Sequence, residues 1–195
     1  MQLMIYGLLV FLGVHLLPLL APRWRERQIA RLGEKRWKGL FALVALAGLV
    51  LVCWGFGRAR ELPLALYAPP PALRHGTALF TLVAFVLVAA AYVPRNHIKA
   101  ALAQPMLLGV VVWASGHLLA TGLLYDVVLF GAFLSWALLL ALALRQRDRL
   151  AGVRYPPGTL RGDALTVLAG VIGWVIVAFW LHRWLIGVDP MALTH

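Results

Sequence analysis

Histidine is the residue type here with the most chemistry to offer, and two of the six stand where water is not expected. His15 and His117 each lie inside a long apolar run, where an ionisable side chain is expensive and is usually kept for function. Imidazole is the commonest metal ligand and titrates near neutrality, so an intramembrane pair points to a metal held between helices. The other reading of each ring is a hydrogen bond to a neighbouring carbonyl, and residue type alone leaves both open. His182 ends its run beside Arg183 and Trp184, an interfacial setting. His75 and His97 fall in connecting segments, and His195 is the last residue.

Other chemistries lack their residues. No Asp, Glu, Lys or Arg lies mid-run, which argues against a proton pump, a channel with a charged ring, or a carboxylate hydrolase working within the membrane. The chain has no Ser-His-Asp set, no phosphate-cradling glycine loop and no HExxH zinc helix. Its one cysteine, Cys53, excludes an internal disulfide, a CxxC pair and a CxxCH attachment site. Any haem is therefore held non-covalently.

The elements that must position the histidines are membrane helices. Of 195 residues, 63% are hydrophobic and 13% charged, against roughly 45–50% and about 25% in a soluble domain. Six apolar runs, about Leu3–Ala21, Trp37–Phe56, Thr77–Val93, Met106–Leu124, Val127–Leu144 and Ala164–Ile186, are each near the length of one bilayer crossing. They lack the alternation of a barrel strand, so each is expected as a helix. The expected fold is all-α, a polytopic bundle of six transmembrane helices forming one integral membrane domain over residues 1–195.

The formal charge of +11 invites a nucleic-acid reading, which the placement of the charges excludes. Fourteen of the 18 basic residues fall on the side of the loops joining runs one and two, three and four, and five and six, with Lys38 at the start of run two among them, and four (Arg58, Arg60, Arg74, Arg183) fall on the opposite side. The basic loops are therefore expected in the cytoplasm and both termini outside, in the periplasm of a bacterium. The first run has its basic residues after it rather than before it, the reverse of a secretory signal. Within Trp24–Lys38, Ile29, Leu32 and Trp37 recur at helical spacing among Arg and Lys. That segment reads as an amphipathic helix on the anionic inner leaflet, with a solvated basic loop as the alternative.

At 1.5 Å per residue, His15 falls about 4–5 Å to the cytoplasmic side of the midplane and His117 about 3–4 Å to the outer side. Two imidazoles on facing helices can share one metal across that offset. Around His117 the residues are small, with Gly109, Gly116, Ala120 and Gly122, and Trp113 stands one turn before it. Gly116 and Ala120 form a small-xxx-small pair, which by itself needs no more than close helix packing.

The chain resembles the NnrU family of bacterial membrane proteins. The resemblance rests on Gly13-Val14-His15-Leu16-Leu17, Ala21-Pro22-Arg23-Trp24-Arg25, Arg36-Trp37-Lys38-Gly39-Leu40 and Leu66-Tyr67-Ala68-Pro69-Pro70. It continues through Ile98-Lys99-Ala100-Ala101-Leu102, Gln104-Pro105-Met106-Leu107, Trp113-Ala114, His117-Leu118-Leu119-Ala120 and Leu129-Phe130-Gly131, covering about residues 3–145. The resemblance implies a role in denitrification, the metabolism of nitrite and nitric oxide. It also implies similarity to zeta-carotene isomerase, a haem b membrane enzyme in which histidines matching His15 and His117 are the proposed axial ligands. Two helical imidazoles without covalent attachment also suit a b-type haem. The family's His-Pro is Gln104-Pro105 here, and its Asn-Gly-Asp is Thr121-Gly122-Leu123. Gln104 stands about 20 Å along a helix from His117, beyond reach of the same iron.

Three functions follow as expectations. The first is a haem b protein of the inner membrane in redox or nitrogen-oxide physiology. The second is a haem-dependent isomerase of a hydrophobic polyene, with the apolar bundle as its cleft. The third is an assembly factor with a respiratory reductase as partner. Neighbouring genes for nitrite or nitric oxide reduction favour the first or third, and carotenoid genes the second.

Overall fold

The computed structural model describes residues 1–190, apart from the side chains at 71, 72, 74 and 75. His195 and the imidazole of His75 thus lie outside the described residues. Among these residues all regular structure is helical, with one isolated extended bridge between Ala65 and Leu123. The helices are α1 (Gln2–Leu20), α2 (Pro22–Leu32), α3 (Glu34–Ala59), α4 (Pro71–Tyr92), α5 (His97–Leu102), α6 (Pro105–Ala120), α7 (Leu124–Leu150), α8 (Leu160–Ile176) and α9 (His182–Ile186), with a π-helical turn at Val177–Leu181 between the last two.

Four helical stretches are long and apolar enough to cross a membrane: α1, α3, α7 and the continuous Leu160–Ile186. The expected third and fourth spans correspond to the shorter apolar helices Gly76–Tyr92 and Pro105–Ala120. Helix α6 has 16 residues, about 24 Å against a hydrocarbon core of about 30 Å. It stops before the expected Leu124 because Thr121 is extended, at φ −133° and ψ 140°. The segment Trp24–Lys38 is two helices rather than one. Gly33, at φ 81°, turns the chain in a conformation that glycine adopts without a Cβ penalty.

The described residues group into two compact units, residues 1–67 with 123–136, and residues 68–122 with the chain from Ala137 onward. In the first unit, α1 and α3 form an antiparallel hairpin. Gly55 on α3 meets the backbone of Met4, Gly48 meets Phe11, and His15 meets Phe41. A Cβ at Gly7 or Gly55 would collide with backbone of the facing helix, so these glycines set the close approach of two helices that lipid does not force together. Met4, Leu8 and Leu12, one turn apart on α1, form the core with Val52, Ala59 and Tyr125. The start of α7 is tied to the chain after α3 by the Leu124 N–H, which donates to the Leu64 carbonyl.

In the second unit α4 packs between α6 and α8. Gly116 of α6 lies against Phe80, and Gly109 against Ala84, Leu87 and Val88. On the other side Gly170 meets Val86 and Gly173 meets Phe85. The Trp174 indole donates to Thr81 Oγ1 at 3.0 Å, and Thr77 Oγ1 donates to the Gly116 carbonyl at 3.0 Å. Both hydroxyls thus take roles that water would fill outside a membrane.

Candidate functional site

His15 continues the inward stripe of α1, three residues after Leu12. Its Nδ1 lies 2.6 Å from the carbonyl oxygen of Phe11, one turn back. A carbonyl only accepts, so Nδ1 carries the proton, and in the neutral ring the lone pair belongs to Nε2. Aromatic rings hold the imidazole in place. Phe11 lies 4.6 Å away between centroids, Phe41 of α3 at 5.1 Å edge-on, and Trp136 of α7 at 6.0 Å edge-on. Phe133 packs against both Phe11 and Trp136. Within this cage the buried Trp136 Nε1 has no hydrogen-bond acceptor among the described residues. An unmet buried donor costs about 1–3 kcal/mol.

His117 repeats the device in the second unit. Its Nδ1 is 2.8 Å from the Trp113 carbonyl, again four residues back, and the Trp113 ring lies 5.1 Å from it. Gly116, beside it, is small because Phe80 fills the space next to it. The two readings left open by residue type therefore concern different nitrogens of one ring: Nδ1 serves a carbonyl, and the lone pair stays at Nε2. His182 follows the π-helical turn, with Nδ1 at 2.8 Å from the Val188 carbonyl.

Away from the apolar runs the second unit carries a polar knot that spacing did not reveal. Asp148, buried in the last turn of α7, accepts from Tyr155 Oη at 2.7 Å, Gln104 Nε2 at 2.8 Å and Arg147 Nη2 at 3.1 Å. Burial first, and then the Asp148 carboxylate, push the Tyr155 phenol above its ordinary 10.0. Gln104 thus anchors the start of α6. Nearby, Asn96 is 1% exposed. Its amide donates to the carbonyls of Ala90 and Val93, and its Oδ1 caps α5 by accepting from the Lys99 N–H. His97 then grips Asp163 of α8 twice, through its backbone N–H and through Nδ1, each at 2.7 Å.

His15 belongs to the first unit and His117 to the second. Sequence reasoning missed Trp136 and Phe41, whose place beside His15 follows from helix register rather than from any local signal. Among the described residues no group of three or more His, Cys, Asp or Glu side chains gathers as a metal site. The family model described as NnrU protein matches residues 3–190. Neither a curated protein nor a solved structure matches the chain.

Proposed function

Because the chain belongs to the NnrU family and carries helices apolar enough to cross a membrane, we propose that it is a bacterial inner-membrane protein holding a b-type haem through His15 and His117, in the service of nitrogen-oxide or redox metabolism. The observation that carries this reading is the matched pair of Nδ1–carbonyl bonds. In the neutral ring the bond behind it fixes tautomer and tilt and puts the lone pair at Nε2, the nitrogen through which a haem iron would be held. The pairing of the two histidines comes from the family resemblance, and the Nδ1–carbonyl bond of each suits that ring by itself to ligation.

The donor set fits the group. Two neutral imidazoles suit haem iron, and the rings of Phe11, Phe41, Phe133 and Trp136 suit the flat apolar face of a porphyrin. The unmet Trp136 N–H offers a donor to a polar edge brought in by a ligand. When bound, the haem supplies one-electron chemistry. The chain's own part is to hold both rings in one tautomer and to keep water out with aromatic side chains. In the same reading the six apolar helices all cross the bilayer with both termini in the periplasm, and the short α6 is met by local thinning of the lipid.

The test is spectroscopic. Protein purified in mild detergent, after expression with ample haem, is expected to show a Soret band and low-spin α and β bands on reduction. A colourless preparation that still folds would overturn the reading and leave the histidines as structural groups.

A further inference from the structure

The two ends of the α1–α3 hairpin treat their charges differently. At one end Arg58 pairs with Glu61 at 3.1 Å, and Arg60 reaches the Tyr125 hydroxyl. At the other end, spanned by α2, Lys38 pairs with Glu34 at 2.7 Å. Arg23, Arg27, Arg31, Lys35 and Arg36 have no acidic partner among the described residues, and all five are exposed. So dense a bare positive field is costly unless something negative lies against it.

Helix α2 has two faces. Arg25, Gln28, Ile29 and Leu32 form a half-buried stripe turned toward the protein, and Arg23, Glu26, Arg27, Ala30 and Arg31 are exposed on the other side. Trp24 is 43% exposed and packs edge-on against Trp37 at 5.7 Å, so its ring is fixed while one side stays open. Because α1 and α3 are antiparallel, α2 joins them across a single end of the hairpin. Immediately inward from that end Leu20 and Leu43 are 72% and 64% exposed, side chains suited to acyl chains. A helix whose cations adjoin lipid-facing leucines, with a tryptophan at the boundary, has lipid headgroups as its nearest anions.

We propose that the outer face of α2, through Arg23, Arg27 and Arg31, binds the phosphate of an anionic glycerophospholipid, with Trp24 set at the level of its ester groups. Guanidinium forks match phosphate oxygens bidentately, and arginine rather than lysine fills all three positions. Glu26 on the same face disfavours a second anion and keeps the site to one headgroup. This proposal is independent of the haem.

The test places the full-length protein in phosphatidylcholine nanodiscs and measures, by electron spin resonance, the immobilised fraction of spin-labelled phosphatidylglycerol against spin-labelled phosphatidylcholine. The wild type is expected to prefer the anionic probe, each arginine contributing up to about fivefold. R23Q/R27Q/R31Q should bring the preference close to one, and R23K/R27K/R31K, which keeps the charge but loses the forks, should fall between that and the wild type. R145Q/R149Q/R154Q removes equal charge from another basic segment and should leave it intact. If the glutamine triple is too unstable, R27Q alone should lower the preference by a fraction of that amount. The proposal fails if the glutamine variants keep the wild-type preference or if the control triple lowers it equally. It also fails if inorganic phosphate at fixed ionic strength displaces the lipid probe, which would mark a free-anion site, or if an acidic peptide or RNA does so.

Discussion

Gln104 donates from Nε2 to Oδ2 of Asp148 across 2.8 Å, tying the start of α6 to the last turn of α7 within the second unit. The bond lies beside the Tyr155 hydroxyl, which donates to the same oxygen. Replacing Gln104 with Ala removes one of three donors to a buried carboxylate, and a loss of about 1.5–3 kcal/mol is expected for a charge-assisted bond. Asp148→Ala should cost more, since it leaves the Tyr155 hydroxyl without its acceptor and Gln104 with only the longer bond to Tyr155 Oη. Thermal unfolding in detergent checks both, and equal melting of Gln104→Ala and wild type would remove the anchoring role.

Tyr155 makes the knot sensitive to alkali. Its folded-state pKa is raised above 10.0, chiefly by burial and then by Asp148. The unfolded chain therefore releases this proton first, and the stability the phenol contributes is full below about pH 10 and is lost as pH rises through the folded value. Wild-type protein should melt progressively lower above that point. Tyr155→Phe should show a shallower alkaline decline, and parallel declines would count against the assignment.

Removing either proposed ligand should change the spectrum in a distinctive way. His15→Ala and His117→Ala are each expected to lose the low-spin bands, and His182→Ala is expected to keep them. Retention of a low-spin spectrum in either of the first two variants, with haem content unchanged, would exclude that residue as a ligand.

The hairpin glycines give a test of packing that is independent of any cofactor. A Cβ at Gly55 meets the backbone of Leu3 and Met4, whereas one at Gly57 meets nothing within 4 Å. Gly55→Ala should destabilise by about 1–3 kcal/mol through overpacking. Gly57→Ala should be neutral or gain about 0.5–1 kcal/mol from helix propensity. Unfolding by titration with a denaturing detergent separates them, and matching behaviour of the two would contradict the observed seam.

The helices were legible because apolar runs of bilayer length have few other solutions, and His15 and His117 because they interrupt those runs. Helix ends were less so. Thr121 gives no strong signal that α6 stops at Ala120, and Gly33 is an ordinary glycine until its φ of 81° is seen. The cage around His15 was invisible because Phe41 and Trp136 come from α3 and α7, and nothing local fixes their register against α1. Gly109 and Gly116 were read as small residues suited to close packing, and they do pack, with α4 as the partner. The grip of His97 on Asp163 joins residues far apart in the chain, each of which reads alone as an ordinary loop or helix-start polar group.

The π-helical turn at Val177–Leu181 gives the end of the chain a freedom of its own. One residue more than an α-helix would use is accommodated there, so α9 is rotated by about 100° from the face that α8 would otherwise present. Deleting one residue from this turn should restore plain α-helix and swing His182, Arg183 and Trp184 around the axis together, with the seam of Gly170 and Gly173 against α4 untouched. A single-residue loss or gain in that turn can thus re-aim α9 in one step, without rebuilding the packing that precedes it.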